Sequence, residues 1–165
     1  MGALVYLSLG SNLGNREQFL EEALHLISSR VAEIKNVSGY YESEPWGFEA
    51  ATQFLNICAS LETDIAPLEL LQIFQKIESE LGREQKTSNG YASRVIDIDI
   101  LTYGDLELDS DQLKIPHPQM GNRKFVLLPL LEIAPEFTHP KTGKTIKQII
   151  AVCDDESAVL LYESK

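Results

Sequence analysis

Hydrophobic and polar positions along the chain predict an order of strand, helix, strand, strand, helix, strand, followed by further elements. Ala3 to Leu9 alternates and is rich in β-formers, so it reads as a first strand. Gly10 to Asn15 is a turn cluster; Asn15 can cap a helix, with Gln18 as its capping-box partner. That helix runs to about Arg30, with Leu20, Leu24 and Ile27 on one face. Glu33 to Ser43 reads as a second strand, and Glu44 to Thr52, with Pro45, Trp46 and Gly47, as a loop. In a third strand, Gln53 to Thr63, the period of two puts Phe54, Asn56, Cys58 and Ser60 on one face. Leu55, Ile57, Ala59 and Leu61 take the other. Pro67 suits the first turn of a second helix carrying Leu70, Phe74, Ile77 and Leu81, which Gly82 can stop.

Arg83 to Arg94 has no hydrophobic periodicity and is long for a plain connection. Val95 to Tyr103 is a fourth strand and Gly104 to Asp111 a small hairpin. Lys114 to Asn122 is a loop, and Arg123 to Ile133 a short helix interrupted by Pro129. Ile146 to Cys153 reads as helix and Ala158 to Tyr162 as strand. The order is that of a ferredoxin-like βαββαβ sandwich, an α+β fold with helices on one face and additional C-terminal elements. Residues 1–165 read as a single domain.

Charge and composition narrow the partners. The chain has 25 acidic against 14 basic side chains, a net charge of −11. That balance argues against nucleic acid and anionic membranes, so any polyanion must be held locally, by basic patches or bridging cations. No apolar run approaches the roughly 18 residues of a membrane span, and the N-terminal residues read as a strand rather than a leader. Two cysteines, Cys58 and Cys153, form no CxxC and lack basic neighbours that would activate a thiolate. A reduced, cytoplasmic chain is the simplest reading, and no face reads as a dimer seam, so a monomer is expected. Two stretches lack acids: Gln85 to Ile96, and Gln112 to Phe125 with Lys114, His117, Arg123 and Lys124. Phosphate is to be sought there.

The sharpest chemical feature is Arg94-Val95-Ile96-Asp97-Ile98-Asp99-Ile100-Leu101. In a strand Asp97 and Asp99 project side by side while the isoleucines enter the core. Two crowded carboxylates call for a metal, a shared proton or a cation, and hard ions such as Mg²⁺ take oxygen ligands from carboxylates and phosphates. The same alternation also suits a solvated strand face; the nearby Arg83, Lys86 and Arg94 favour a phosphate site. His117 stands between Pro116 and Pro118 in restricted backbone, and Arg123 and Lys124 open a helix whose N-terminus attracts anions. Phe54 shares a strand face with polar Asn56, and Phe125 follows the basic pair. Two such rings can sandwich a flat heterocycle whose edge an amide reads, or they can be ordinary core residues. No GxSxG, Walker A or GxGxxG pattern occurs.

The run Ser93 to Leu101 resembles the signature of the 6-hydroxymethyl-7,8-dihydropterin pyrophosphokinases. Leu7 to Gly14, Glu44-Pro45-Trp46-Gly47, Phe54-Leu55-Asn56, Pro116-His117 and Asn122 to Phe125 resemble further blocks of that family in order and spacing. Gly90 and Ala92-Ser93 depart from it, where a charged residue and Gly-Pro are commoner. The resemblance implies an ATP- and Mg²⁺-dependent enzyme of folate synthesis, in which Asp97 and Asp99 hold two Mg²⁺ ions. It implies that Phe54 and Phe125 stack on the pterin, Asn56 bonds its edge, and Ser43 and Trp46 complete its recognition. Arg83, Arg94, Ile98, His117 and Arg123 would contact ATP, with Arg83 and Arg94 also serving catalysis. Three other readings stand beside it: a phosphokinase that releases ADP, a binding module without turnover, and a plain structural role with Phe54 and Phe125 in the core and the acids solvated.

Overall fold

The computed structural model describes residues 2–43, 53–82 and 95–162. The N-terminal alternation forms β1 (Ala3–Ser11), an interior strand of an antiparallel sheet. One edge of β1 pairs with β4 (Phe54–Thr63) and the other with β5 (Asp97–Tyr103). Beyond β4 lie β2 (Asn36–Val37) and β3 (Tyr40–Ser43), and β8 (Val159–Tyr162) pairs with β3 at the far edge. The sheet thus runs β5-β1-β4-β3-β8, with β2 also on β4. A separate hairpin joins β6 (Leu108–Asp109) to β7 (Lys114–Ile115).

Two helices cover one face of the sheet. In α1 (Arg16–Arg30), Asn15 accepts a hydrogen bond from the Gln18 N–H (3.2 Å), which satisfies an otherwise orphan donor. Gln18 answers through the Asn15 side-chain amide (3.4 Å) rather than the backbone of a full capping box. In α2 (Pro67–Glu80), Leu70, Phe74 and Ile77 face inward, and Gly82 follows the last turn at φ +103°, a conformation that disfavours a Cβ. These side chains and Leu20, Ala23 and Ile27 of α1 pack on Val5, Leu7, Leu9, Leu55, Ile57, Leu61, Ile98 and Ile100.

The opposite face is covered too, which corrects the expectation of helices on one side. α3 (Lys124–Ile133) and α4 (Ile146–Val152) form a second core with Cys58, Leu101, Met120 and Phe137. Its seed is a register shift of β1 against β5 between Tyr6 and Leu7, which leaves Leu101 the extra residue of a bulge. Pro129 sits inside α3 without ending it. The expected strand from Glu33 to Ser43 is broken at Ser38 and Gly39. Ser38 exchanges both its N–H and its hydroxyl with the backbone of Cys58 (2.9 and 3.0 Å), and Gly39 N–H turns away to Glu132 (2.8 Å).

Among the described residues, no helix is long and apolar enough to cross a membrane. Both cysteines are free, and burial pushes the Cys58 thiol up, as befits an inert core group. If the second core is integral to the fold, Leu127→Ala, at a fully buried position, lowers stability by about 2–5 kcal/mol. Leu160→Ala, 70% exposed on β8, changes it by less than about 0.5 kcal/mol. Urea midpoints of the two variants measure both.

Candidate active site

The pairing of β5 with β1 decides where the two carboxylates point. Asp97 lies opposite Gly10, and Asp99 opposite Ser8. Both occupy the face covered by α3, partly exposed, while Ile96, Ile98 and Ile100 enter the core beneath α1 and α2. As an edge strand, β5 presents backbone groups that no further strand takes. Glu78, buried on α2, accepts the Ile98 N–H (2.8 Å), and the Leu101 carbonyl accepts the N–H of His117 (2.8 Å). These two bonds fix the outer edge of the strand on either side of Asp99.

Across the sheet from Asp97 lies a polar row. Gly10 pairs with Asn56, and Asn56 with Tyr41. Asn56 is 2% exposed; its amide nitrogen donates to Ser43 Oγ (2.7 Å) and to the Tyr41 carbonyl (3.0 Å). A buried amide so held has its plane set in advance. Ser43, 1% exposed, pairs with Phe54. A Cβ at Gly10 would lie 3.2 Å from Asn56 Oδ1 and 3.5 Å from the Phe54 ring. The bare glycine therefore keeps a space open beside both groups.

α3 brings the next two residues. Glu132, near its C-terminal end, accepts from the Tyr41 hydroxyl and from Gly39 N–H, each at 2.8 Å, clamping the helix to β3. Burial first, and then the Glu132 bond, raises the Tyr41 hydroxyl to about 12, so the donor stays protonated. At the other end, Asp155 accepts the Lys124 N–H (2.9 Å). The expectation that this helix N-terminus would receive an outside anion is corrected there, because a carboxylate of the chain already engages it. Arg123 lies with its guanidinium carbon 5.9 Å from the Phe125 ring centre.

His117 joins the group electrostatically. Burial first, and then the Arg123 charge, lower its pKa to about 4, against the opposing pull of Asp97. At neutral pH the ring is uncharged, and its Nδ1 accepts the Gln119 N–H (3.1 Å), which leaves the proton on Nε2. Neutral His117 can thus donate one hydrogen bond. Lys114 goes elsewhere, to an ion pair with Asp109 on the β6–β7 hairpin.

Asp97, Asp99, Asn56, Ser43, Phe54, Phe125, Arg123 and His117 thus gather around the face beneath α3. Ile98 does not: its side chain is 4% exposed in the core and its N–H belongs to Glu78. That corrects its expected contact with ATP through either group. Trp46, Arg83 and Arg94 lie outside the described residues. Glu78, Glu132 and Asp155 escaped sequence reasoning, because each acts on backbone 20 to 93 residues away. Only Glu78 left a trace, as an acid at the helical spacing of a buried face.

The donor set suits a hard cation. Among the described residues no cluster of three or more His, Cys, Asp or Glu forms. The chain offers paired carboxylates and no soft ligand beside them, which fits Mg²⁺ completing its shell with water and phosphate oxygens.

Comparison with known proteins gives a consistent picture. The model of the family described as 7,8-dihydro-6-hydroxymethylpterin-pyrophosphokinase matches residues 6–135. A 2-amino-4-hydroxy-6-hydroxymethyldihydropteridine pyrophosphokinase from Porphyromonas gingivalis is 48% identical over 141 residues, 84% of this chain and 95% of its own. One of the same name from Bacillus subtilis is 38% identical over 161 residues, 96% of this chain and 95% of its own. The crystal structure of wild-type Plasmodium falciparum HPPK-DHPS superposes with a TM-score of 0.73 at 19% identity. It covers 92% of this chain, which spans 44% of that longer protein, and the likeness is one of fold.

The His117 environment makes stability depend on pH. The unfolded ring titrates near 6.5 and the folded one near 4. The unfolded chain therefore takes up the proton first, and stability falls as pH drops from about 6.5 towards 4. Between pH 7 and pH 5, in chelator, the parent chain is expected to lose about 2 kcal/mol more than His117→Asn. Urea midpoints at the two pH values test this; equal losses would contradict it.

Proposed function

The chain belongs to the 7,8-dihydro-6-hydroxymethylpterin-pyrophosphokinase family and is an ATP-using pyrophosphokinase of folate biosynthesis, and from that premise we propose how its site divides the reaction. ATP is the donor and 6-hydroxymethyl-7,8-dihydropterin the acceptor; the products are AMP and the pterin diphosphate. The observation that carries this reading is the row Asp97, Gly10, Asn56 across one sheet face. A carboxylate pair at one end and a fixed amide at the other stand two strand spacings apart, roughly 10 Å. A flat bicyclic ring can lie over Gly10, with its edge on Asn56 and its substituent towards Asp97. Phe54 and Phe125 supply the stacking faces, and Ser43 holds the amide.

The donor end is built for charge. Asp97 and Asp99 would hold two Mg²⁺ ions, which when bound neutralise and orient the triphosphate. Arg123 offers a guanidinium fork to phosphate oxygens, and neutral His117 donates from Nε2 without adding repulsion to Arg123. Arg83 and Arg94 remain proposed phosphate contacts. The acceptor hydroxymethyl oxygen attacks the β-phosphorus in line; the new O–P bond forms as the bond to the bridging oxygen of AMP breaks. Positioning and electrostatics supply most of the rate. We assign the departing hydroxyl proton to a carboxylate oxygen of Asp97, the titratable group closest along the row.

The strand order β5-β1-β4 with β2 and β3 beyond supports a ferredoxin-like core, extended by β8, α3 and α4. Continuity of one sheet through two cores supports a single domain over 1–165. Two free cysteines suit the cytoplasm, and small-molecule substrates suit a monomer.

The test is a nucleotide product assay with Mg²⁺, ATP and the dihydropterin. AMP formed only when the pterin is present supports the proposal; ADP would indicate a phosphokinase, and no turnover a binding module. Asp97→Asn and Asp99→Asn should each lower turnover by about 100-fold or more, with thermal midpoints retained. Near-normal turnover in Asp97→Asn would remove it from the proton's path.

A further inference from the structure

Arg16 occupies an unexpected place for a cation. It is the first residue of α1, where the positive end of the helix dipole disfavours a guanidinium. Helix formation therefore gives no reason for it. What its side chain touches does: Nη1 lies 2.8 Å from Glu42 Oε2 and donates to the Gln53 carbonyl, also at 2.8 Å. The guanidinium carbon stands 5.4 Å from the ring centre of Tyr162 on β8. That ring meets Tyr40 edge-on, at 6.5 Å and 85°.

The two anchored residues are the immediate neighbours of the acceptor half. Glu42 precedes Ser43, and Gln53 precedes Phe54. Ser43 and Phe54 are paired across β3 and β4, and Ser43 holds the Asn56 amide at 2.7 Å. A single nitrogen of Arg16 thus ties the end of β3 to the start of β4 at the point where the ring-binding groups emerge. The ion pair is shielded, with the Arg16 side chain 20% exposed, so solvent screens it less than an open surface pair.

We infer that Arg16 is a positioning residue for the acceptor: it fixes the spacing of Ser43 and Phe54 and so the plane and edge presented to the ring. Tyr162 backs the guanidinium, which gives the C-terminal strand a part in substrate recognition although it carries no group of the site. The inference rests on the reading of that half as the acceptor pocket. It also separates function from stability. Loss of Arg16 removes an ion pair and a helix-end repulsion together, so the fold is little changed while the pocket loosens.

The experiment compares Arg16→Ala, Arg16→Lys and Arg30→Ala with the parent enzyme. Arg30 pairs with Glu80 at the other end of the same helix and controls for loss of an ion pair as such. Steady-state KM values are measured for the dihydropterin and for ATP. Dihydropterin affinity is also measured by fluorescence, in Mg²⁺ and a non-hydrolysable ATP analogue. Arg16→Ala should raise the acceptor KM and Kd about tenfold, with the ATP KM within about twofold. Its melting temperature should stay within about 2 °C of the parent. Arg16→Lys, which keeps the charge but lacks the planar fork, should fall between, and Arg30→Ala should match the parent. Adding Glu42→Gln to Arg16→Ala should bring no further loss, since both changes break one linkage. An unchanged acceptor KM would overturn the inference, as would parallel rises in both KM values with a lowered melting temperature. A parent enzyme that binds no dihydropterin would instead refute the acceptor pocket, and Arg16's role with it. The two failures differ in whether the parent or only the variants deviate.

Discussion

The register of β1 between β4 and β5 is the constraint on which the site depends. Side chains alternate with period two, so a slip of one residue in β5 would turn Asp97 and Asp99 into the core under α1 and α2. It would also expose Ile96, Ile98 and Ile100, and burying two carboxylates without partners would cost several kcal/mol each. The apolar set Val5, Leu7, Leu9 and its counterparts on β4 and β5 therefore fixes the register and the site's polarity together. Glu78 and His117 complete this from outside by binding the free edge of β5 on either side of Asp99. The bulge at Leu101 sends that one side chain into the second core, and Tyr103 beyond it packs on the first again.

Electrostatics explain how a chain of net charge −11 can receive a triphosphate. Its bulk field repels such a ligand, so attraction must come from groups within a few ångströms. In the proposed site Asp97 and Asp99 would supply it indirectly, because paired carboxylates recruit divalent cations that reverse the local sign. Arg123 would supply it directly, and its charge adds to burial in holding the His117 pKa low. Asp155 has the opposite task. It takes the Lys124 N–H in the first turn of α3, so that in the proposed site Arg123 and Phe125 would face the ligand.

Much of this was legible in the chain, for an identifiable reason. The strand and helix order, the caps at Asn15 and Gly82, and the shared face of Asp97 and Asp99 all follow from local periodicity and turn chemistry. Phe54 beside Asn56 was readable as a site because a polar residue interrupts an apolar face. What stayed hidden acts at a distance. The break at Ser38 depends on Cys58 twenty residues on, and the second layer on a helix that local pattern could not place on either face. Ile98 shows the converse: the resemblance implied contact with ATP, yet period two sends its side chain to the opposite face, as the alternation itself predicts.

The division of the site between elements bears on how the two substrates are held together. The proposed acceptor groups Ser43, Phe54 and Asn56 sit on hydrogen-bonded strands, and the carboxylates on another strand of the same sheet, so their separation is as rigid as the sheet itself. Phe125 and Arg123 come instead from the start of α3, whose seat is set by Glu132 at one end and Asp155 at the other. Under the proposed function one helix terminus thus carries both an aromatic face for the acceptor and a cation for the donor, two residues apart and in mutual contact. A displacement that improved one contact would move the other. Coupling between acceptor and donor in the proposed site therefore needs no separate device: it is inherent in placing Phe125 and Arg123 on the same turn of a helix that carboxylates anchor at both ends.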